Sequence, residues 1–374
     1  MRIAFYAPLK SPDYQIPSGD RQIARLFFAA LRLAGHEPRL VSRFRSHDGG
    51  GDLLRQARLA RLGKQLARRL ADGFLQAPQT GPELWFSYHL YHKAPDWLGP
   101  TVADALGIPY VVAEASLSPR QALGPWALGH HAVENAVSRA DAVIGLNSAD
   151  RECISPLLRH PSTWVSFKPF LDAAAYGGGV RPRSVSPRLI VVAMMRYGDK
   201  LASYRVLGDA LALLLDLPWS LEVVGDGPAR GDVERVLSVA QERIVWTGSL
   251  ADEAVAGRLC GADICVWPAV NEAFGMALLE AQASGLPVVA GASGGVAEIV
   301  ESGATGLLVA PGDPAAFAAA IRILMLDRSR RVAFGRAARE RVLVEHDLST
   351  AARRLGVVID ALTRRQMAGS ILQL

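Results

Sequence analysis

Two α/β domains, each a doubly wound parallel sheet, are predicted by the length of the chain and by two runs of alternating strand and helix patterns. The chain has 374 residues, which is too long for one ordinary hydrophobic core. The two runs are separated by a segment rich in glycine and proline, residues 173–188. We therefore predict an N-terminal Rossmann-like domain over 1–172, a linker over 173–188 and a C-terminal Rossmann-like domain over 189–347. We also predict a closing helix over 348–374, which is a candidate for packing back on the N-terminal domain.

The first run opens with a strand, a glycine-containing loop, a helix and a second strand. Arg2–Tyr6 is a short apolar strand, Asp20–Ala34 is an amphipathic helix, and Pro38–Ser42 begins the next strand. Further elements are predicted as strands over 83–88, 110–114 and 142–146 and as a helix over 126–139. This order is typical of a doubly wound sheet.

The second run has the same character and predicts a second parallel sheet covered by helices. Its strands are predicted over 189–194, 220–224, 244–247, 264–267 and 287–290, and its helices over 203–215, 251–260, 275–284 and 348–365. Two such domains are expected to face each other across a cleft, with ligands bound at the carboxyl ends of the strands.

Composition indicates a globular protein of a reducing compartment. Half of the residues are hydrophobic and 21% are charged, and the three cysteines have no metal-ligand spacing. The N-terminus lacks the pattern of a signal peptide, and no apolar run approaches the roughly 20 residues of a membrane span. The expected location is the cytoplasm, with peripheral contact at the inner membrane face as an option.

That option comes from an arginine-rich helix pattern over residues 55–70. Four leucines fall on one side of a helical wheel and most of the cations on the other; they are Leu59, Leu62, Leu66 and Leu70, against Arg58, Arg61, Lys64, Arg68 and Arg69. The pattern fits an ordinary amphipathic helix with a solvated basic face. It also fits a helix that lies on an anionic membrane or contacts an acidic acceptor.

The most informative segment runs from Trp267 to Ala281, where a strand ends, a loop carries Glu272 and a helix carries Glu280. The free N–H groups at such a helix start suit a diphosphate. Eight residues on one helix would separate the carboxylates by about 12 Å, farther than the roughly 5–9.5 Å of a glycosidase pair. The two carboxylates are better suited to different parts of one extended ligand, since each can accept two hydroxyl hydrogen bonds.

Two cations follow the first strand of the second domain. Arg196 and Lys200 lie where positive charge would neutralise a diphosphate and replace a metal ion. No Asp-x-Asp motif or histidine cluster for a divalent cation accompanies them. Either cation alone would more often be structural or solvated, so the interpretation depends on the surrounding pattern.

That pattern resembles family 4 of the retaining GT-B glycosyltransferases, the glycosyl transferases group 1. The matching residues occur in the family's order over about 150 residues; they are Arg196 and Lys200, Gly225 to Pro228, Glu272 and Glu280 with Phe274-Gly275 between them, Gly285 to Val289, Gly294-Gly295 with Glu298, and Gly303 to Gly306. The resemblance implies a GT-B fold, a nucleotide-sugar donor and no cofactor or metal.

The resemblance also implies roles for individual residues. Arg196 and Lys200 would bind the donor diphosphate and stabilise the leaving group, and Glu280 would hold the ribose hydroxyls. The transferred sugar would contact Glu272 and the backbone of Ala273, Phe274, Gly275 and Met276. Gly19 resembles the glycine of the family's first loop, near the diphosphate, and is equally compatible with a flexible residue before a helix. The implied reaction is front-face transfer to a carbohydrate or lipid-linked acceptor, in bacterial surface polysaccharide or glycolipid synthesis.

The first domain departs from the family pattern. Many members have a histidine after the fourth strand, whereas this chain has Glu114 and Ser116 there. Either residue is a candidate hydrogen-bond partner for the sugar. His89 and His92 follow the preceding strand and are candidates for orienting an acceptor, although histidines in such loops are more often simply packed.

Two other function classes remain compatible with the sequence. The missing histidine is compatible with a catalytically silent protein that senses nucleotide sugars. A nucleotide-sugar epimerase is the alternative enzyme, and the Glu272/Glu280 arrangement argues against it. Nucleic-acid binding is disfavoured despite the pI of about 9.3, because no recognised motif accompanies the modest positive charge.

Overall fold

The computed structural model describes residues 1–16, 18–177 and 186–371, with the backbone alone for 367–371. The chain forms two compact units. Unit 1 comprises Met1–Phe167 and Leu348–Leu374, and unit 2 comprises Lys168–Asp347. Of the predicted linker, residues 178–185 lie outside the described residues. The remainder includes a single 3₁₀ turn over Ala173–Ala175.

Unit 1 is a parallel sheet with helices packed against it. Its strands are β1 (Arg2–Tyr6), β2 (Glu37–Leu40), β3 (Leu84–Leu90), β4 (Tyr110–Ala115), β5 (Ala142–Gly145) and β6 (Trp164–Ser166). Its helices are α1 (Gly19–Leu33), α2 (Leu53–Gln76), α3 (Gly99–Leu106), α4 (Ala127–Arg139), α5 (Asp150–Ile154) and the later α13 (Leu348–Ile371). The strand order is β2-β1-β3-β4-β5-β6. It reverses direction between β1 and β3, which opens a crevice at their carboxyl ends.

The two faces of this sheet bury different aromatic clusters, because side chains alternate along a strand. Phe5 and Phe86 stack on one face with ring centroids 5.6 Å apart. Tyr6 follows Phe5 in β1, and Trp85 precedes Phe86 in β3. Both therefore belong to the core on the opposite face of the sheet. Helix α13 packs against α1, so the chain returns to unit 1 after completing unit 2.

Helix α2 corrects the prediction of a leucine-lined apolar face. Its buried side consists of small residues and one glutamine: Gln56, Ala60, Gly63, Ala67 and Ala71. A Cβ added at Gly63 would lie 2.4 Å from Trp97 Cβ, so the helix lies too close to its neighbours to place leucines between them. The leucines therefore flank the contact, and Leu62 remains 43% exposed.

Unit 2 is a second parallel sheet. Its strands are β7 (Arg188–Val192), β8 (Ser220–Val224), β9 (Ile244–Gly248), β10 (Ile264–Trp267), β11 (Val288–Gly291) and β12 (Gly306–Val309). Its helices are α6 (Asp199–Ala212), α7 (Arg230–Val236), α8 (Asp252–Gly261), α9 (Met276–Ala283), α10 (Val296–Ile299), α11 (Pro314–Leu326) and α12 (Arg328–Arg341). The order β12-β11-β10-β7-β8-β9 reverses between β7 and β10. The ligand crevice of this sheet is therefore expected at the carboxyl ends of these two strands.

The start of α6 differs from the sequence prediction. The helix was expected from Ser203, but it begins at Asp199, directly after Gly198 with φ 80°. Glycine adopts this left-handed conformation without a Cβ clash, so the chain turns early into the helix. Lys200 consequently lies in the first helical turn, rather than in a loop.

Candidate functional site

The reversal point of unit 2 holds an ion pair between two of the predicted residues. Lys200 Nζ lies 2.5 Å from Glu272 Oε2. Trp267, the last residue of β10, donates from Nε1 to the same oxygen at 3.0 Å, and Lys200 Nζ lies 5.2 Å from the Trp267 ring centroid. The indole thus holds both the carboxylate and the ammonium. The sequence placed Trp267 only as a strand end, because the hydrogen bond depends on how the next five residues fold back.

The loop between β10 and α9 is held in a strained but well-connected conformation. Ala269 and Asn271 have φ 52° and 53°, which non-glycine residues rarely adopt. Asn271 Nδ2 donates to Asp199 Oδ2 at 2.9 Å, and the Glu272 amide donates to Ser293 Oγ at 3.2 Å. These bonds hold the Glu272 carboxylate in one position before any ligand binds.

The start of α9 follows this loop and lies against a glycine pair. A Cβ on Gly294 would lie 2.1 Å from the Glu272 carbonyl oxygen, and one on Gly295 would lie 2.5 Å from that of Ala273. The Gly295 amide donates to the same Ala273 oxygen at 3.0 Å. Only glycine permits so close an approach. The contact supports the loop that turns into α9 at Gly275, where φ is 74°. The first amide groups of α9 have no intrahelical acceptor, an arrangement that suits an anion.

Glu280 lies further along α9 and is half-buried. Burial raises its pKa to about 7, the charge of Asp252 raises it as well, and a hydrogen bond from Tyr176 opposes the shift. Arg339 donates to the main-chain oxygens of Tyr176 and Ala283, which fixes the segment that carries the phenol. Tyr176 was missed because it lies in the predicted linker, where no periodic pattern indicates a buried side chain.

Arg196 follows β7 and its side chain is exposed. Within the described ranges, its guanidinium makes no hydrogen bond or ion pair. The backbone beside it is fixed, because the Met195 amide donates to the Asp226 oxygen at 2.9 Å. Gly225 and Gly227 allow this contact. A Cβ on Gly225 would lie 2.0 Å from the Ala193 carbonyl oxygen, and one on Gly227 would lie 2.3 Å from the Met195 carbonyl oxygen. The guanidinium is thus available to a ligand on a rigid support.

Unit 1 has a cluster of ionisable side chains at the carboxyl ends of its strands. His89 Nδ1 lies 3.2 Å from Asp20 Oδ1, and Lys10 Nζ lies 3.4 Å from the other Asp20 oxygen. Burial disfavours the charged Asp20, but the hydrogen bond and charge of His89, with Lys10, outweigh it and lower its pKa to about 2. Burial also disfavours charged His89, yet the Asp20 hydrogen bond and the nearby carboxylates raise its pKa.

Glu114 is the most buried carboxyl group of this cluster. It is 5% exposed, has φ 67°, and its Oε2 has no hydrogen-bond partner within the described chain. Burial raises its pKa to about 8; the charge of His89 lowers it, and those of Asp150 and Asp20 raise it. Glu114 is therefore mostly protonated at neutral pH.

Ser116 completes the cluster by donating from Oγ to Asp150 Oδ1 at 2.5 Å. Burial raises the pKa of Asp150, while the Ser116 hydrogen bond and the His89 charge lower it. Asp20 and Asp150 were not among the predicted site residues. Asp20 lies in the first turn of α1 and Asp150 begins α5, and a carboxylate in the first turn of a helix that follows a strand was the signal that would have found them.

The structure separates the two histidines that the sequence suggested together. His92 packs edge-on against Trp126, with centroids 5.6 Å apart. Burial lowers the pKa of His92, and the charges of Lys93 and His130 lower it further. Gly19 begins α1 next to Asp20, and a Cβ added there would meet no atom within 4 Å.

Replacing Glu114 with glutamine is expected to raise the melting temperature at pH 8, by roughly 2–4 °C for each kcal/mol of unfolding free energy gained in a unit of this size. The folded pKa of about 8 lies above the unfolded value of about 4.3. The free energy of unfolding therefore falls as pH rises from about 4.5 to 8, and the neutral amide removes this fall. Melting curves from pH 5 to 8 test this, with the exposed Glu152→Gln as control. An unchanged pH dependence in Glu114→Gln would contradict the assignment.

No group of three or more histidine, cysteine, aspartate or glutamate side chains is arranged to hold a metal ion in the described ranges. In the same part of the chain, no helix is both long enough and apolar enough to span a bilayer.

The region that contains the unit 2 site is similar to a known protein family. Residues 186–327 match the family model of the glycosyl transferases group 1. The matched segment includes Arg196, Lys200, Glu272 and Glu280, and the match confirms the resemblance inferred from their order.

Curated relatives match this chain over only part of their length. Sulfoquinovosyl transferase SQD2 of Arabidopsis thaliana is 38% identical over 120 residues, which cover 31% of this chain and 23% of that protein. Across the curated relatives, the matched segments span between 18% and 55% of the relatives' length.

Solved structures match the chain over almost its whole length. A glycosyltransferase from Rickettsia africae has a TM-score of 0.73 at 14% identity, covering 97% of this chain and 98% of that one. Anabaena HepE in complex with UDP-glucose has a TM-score of 0.70 at 17% identity, covering 96% and 100%. At such low identity these matches show the fold, and they confirm the predicted GT-B class of two Rossmann-like units.

Proposed function

We propose that this protein is a retaining glycosyltransferase that moves a sugar from a nucleotide-diphosphate donor to a carbohydrate or lipid-linked acceptor. The observation that carries the proposal is the Lys200–Glu272 pair, held by Trp267 beside the start of α9 inside the segment that matches the group 1 family model. A cation, a carboxylate and free helix amides in one place suit a sugar diphosphate. The UDP-glucose bound to HepE, a protein of the same fold, supports this donor class.

The diphosphate is assigned to the cations and to the amides of α9. The Arg196 guanidinium has no partner in the part of the chain that the structure describes, and Lys200 lies in the first turn of α6. Both would neutralise the charge that develops on the leaving nucleotide, the type of interaction that lowers a transition-state energy most. Lys200 must then share its ammonium between Glu272 and the phosphate.

The remaining contacts are assigned to the two glutamates. Glu280 would accept hydrogen bonds from the vicinal ribose hydroxyls, and this requires the ionised form of its carboxyl. Glu272, with the backbone of 273–276, would contact the transferred sugar. Transfer then breaks the bond from the anomeric carbon to the phosphate oxygen and forms the bond to the acceptor oxygen on the same face. The acceptor proton goes to the departing phosphate, so the proposal requires neither a protein base nor a metal.

A donor screen by thermal shift tests this proposal. UDP, GDP and ADP sugars are added without metal and with a chelator to the wild type and to Glu280→Ala. A ligand at 100 times its Kd stabilises the folded state by about 2.7 kcal/mol. We expect one nucleotide class to raise the melting temperature in the wild type and to do so less in the variant. The absence of any shift, or a strict requirement for a divalent cation, would contradict the proposal.

A nucleotide-sugar sensor without transferase activity is the second candidate, because Glu114 replaces the histidine of the family pattern. The two candidates differ in whether the bound donor reacts. Slow hydrolysis of the donor without acceptor, measured as release of free sugar, would support the enzyme. A donor that binds and stays intact over long incubation, with every acceptor class tried, would support the sensor.

Helix α2 is proposed as a peripheral contact with an anionic membrane. Its arginines are exposed, and so is Leu54, at 84%. Replacing Arg58, Arg61 and Arg68 with glutamine is expected to weaken binding to phosphatidylserine vesicles by about 10- to 100-fold, since each charge near such a surface contributes about 1 kcal/mol. Cosedimentation at low and physiological salt measures this.

The matched control removes three exposed arginines from α12 in unit 2: Arg328, Arg330 and Arg336. It lowers the net charge equally, so a general charge effect would weaken both proteins alike. Equal loss in the two variants, or no binding by the wild type, would rule out a specific role for α2.

A further inference from the structure

We propose that the cluster at the carboxyl ends of β3, β4 and β5 in unit 1 binds the ammonium group of an amino-sugar substrate, with Glu114 as its main carboxylate. This deepens the proposed function, since the amino group would belong to a sugar that the enzyme uses. The inference depends on an imbalance of charged partners within the cluster.

The cluster contains three carboxylates and two cations, and both cations are used by one carboxylate. His89 and Lys10 lie 3.2 and 3.4 Å from the two oxygens of Asp20. Within the described residues, neither Glu114 nor Asp150 has a cation within ion-pair distance. Asp150 instead accepts a hydrogen bond from Ser116. Glu114 and Asp150 thus lie near His89, which is paired with Asp20, and neither has an ion-pair partner among the described residues.

Glu114 provides the independent indication of a ligand. Its side chain is 95% buried, and its Oε2 makes no hydrogen bond in the described structure. A buried polar atom without a partner costs about 1–3 kcal/mol, so such atoms are usually satisfied by a ligand or by water. Glu114 is close enough to His89, Asp150 and Asp20 for their charges to shift its pKa.

An ammonium group fits this arrangement better than a neutral hydroxyl group. It has three donors and a full charge, so it can satisfy Glu114 and Asp150 together. The aromatic neighbours are compatible with a cation, because the Tyr91 ring lies tilted beside His89 with centroids 5.3 Å apart, and Tyr88 is buried near Glu114. A neutral hydroxyl could hydrogen-bond to Glu114, but it would supply no charge to favour the ionised form of two neighbouring carboxyl groups.

Binding of the ammonium is expected to release a proton. Glu114 is mostly protonated in the unliganded protein at pH 7, because its pKa is raised to about 8. A bound cation favours the carboxylate, so the proton leaves to solvent. The other groups facing Glu114 are Asp20, Asp150, His89 and Tyr88, with Lys10 and Tyr91 around Asp20. Of these, His89 and Asp150 also have raised pKa values, and the ion pair with Asp20 opposes loss of the His89 proton.

Calorimetric titration of the full chain tests the inference. The probes are D-glucosamine and 6-amino-6-deoxy-D-glucose, against neutral D-glucose and N-acetyl-D-glucosamine, each at pH 7 in two buffers of different ionisation enthalpy. We expect an amino sugar to bind about 10- to 100-fold more tightly than its neutral counterpart, the usual effect of hydrogen bonds to a charged group. Binding should release a proton, whereas neutral sugars should release none.

Two variants make the result specific. Glu114→Gln keeps the shape and should abolish both the amine preference and the proton release. Glu152→Gln removes an exposed carboxylate from α5 and should change neither. Equal binding of amine and neutral sugars, no binding of either amine, a preference that survives in Glu114→Gln, or displacement of the amine by millimolar Mg²⁺ would each overturn the inference.

The same preparation separates this inference from the proposed function. UDP-glucosamine and UDP-glucose are titrated in parallel. An amine preference among the nucleotide sugars assigns the amino group to the donor, and a preference among free sugars alone assigns it to the acceptor. If amine selectivity is present but no nucleotide sugar binds, the transferase proposal fails while the ammonium site stands.

Discussion

Replacing Arg196 with alanine is expected to lower the turnover of sugar transfer by about 100- to 1,000-fold, the usual cost of removing one group that stabilises a leaving anion. The guanidinium has no intramolecular role to lose, because it has no acceptor in the described part of unit 2 and its backbone is fixed by the Met195–Asp226 contact. The effect should appear in kcat more than in KM, since the charge on the leaving phosphate grows during the reaction. Initial rates with the donor found by the thermal screen measure it.

Arg205→Ala is the matched control, because Arg205 is an exposed arginine on α6, the helix that begins with the Lys200 turn. It should retain wild-type kinetics. A near-normal kcat in Arg196→Ala would exclude Arg196 from leaving-group stabilisation. A rise in KM alone would reduce its role to ground-state binding of the donor.

Replacing Glu280 with alanine is expected to weaken donor binding by about 100- to 10,000-fold, because two hydrogen bonds to a charged group are lost. The burial that raises its pKa to about 7 adds a pH dependence with a definite sign. The carboxylate that accepts the ribose hydroxyls forms as pH rises through 7, so donor affinity should rise about tenfold from pH 6 to pH 8. Calorimetric titration of the wild type across this range measures it.

Two variants separate this effect from a loss of structure. Glu280→Gln keeps an acceptor for the Tyr176 phenol and should show weak donor binding that no longer varies with pH. Glu253→Ala removes an exposed carboxylate on α8 and should bind the donor as the wild type does. Donor affinity that is unchanged in Glu280→Ala, or that falls as pH rises, would contradict the ribose role.

The chain pattern predicted the elements that depend on local order. Buried parallel strands such as β4 and β10 are continuous apolar runs bounded by polar or glycine residues, and they occur within one or two residues of their predicted positions. Their alternation with helices leaves few topologies for a parallel sheet. The edge strands β6 and β12 were missed; most of their residues are only half-buried, whereas β10, which is as short as β12, is buried throughout.

The sequence by itself determined the fold class. It also identified candidate ligand-binding residues in unit 2, because their residue types and their spacing near strand ends are those that a charged ligand requires. Only the tertiary structure decided which side chains meet. The Trp267 bond to Glu272, the Tyr176 bond to Glu280 and the return of α13 to unit 1 all join distant or irregular segments. The unit 1 cluster is the clearest case, because its members come from α1, β3, β4 and α5. Burial and unequal pairing, rather than any motif, distinguish Glu114 from an ordinary surface carboxylate, and neither can be read from sequence spacing.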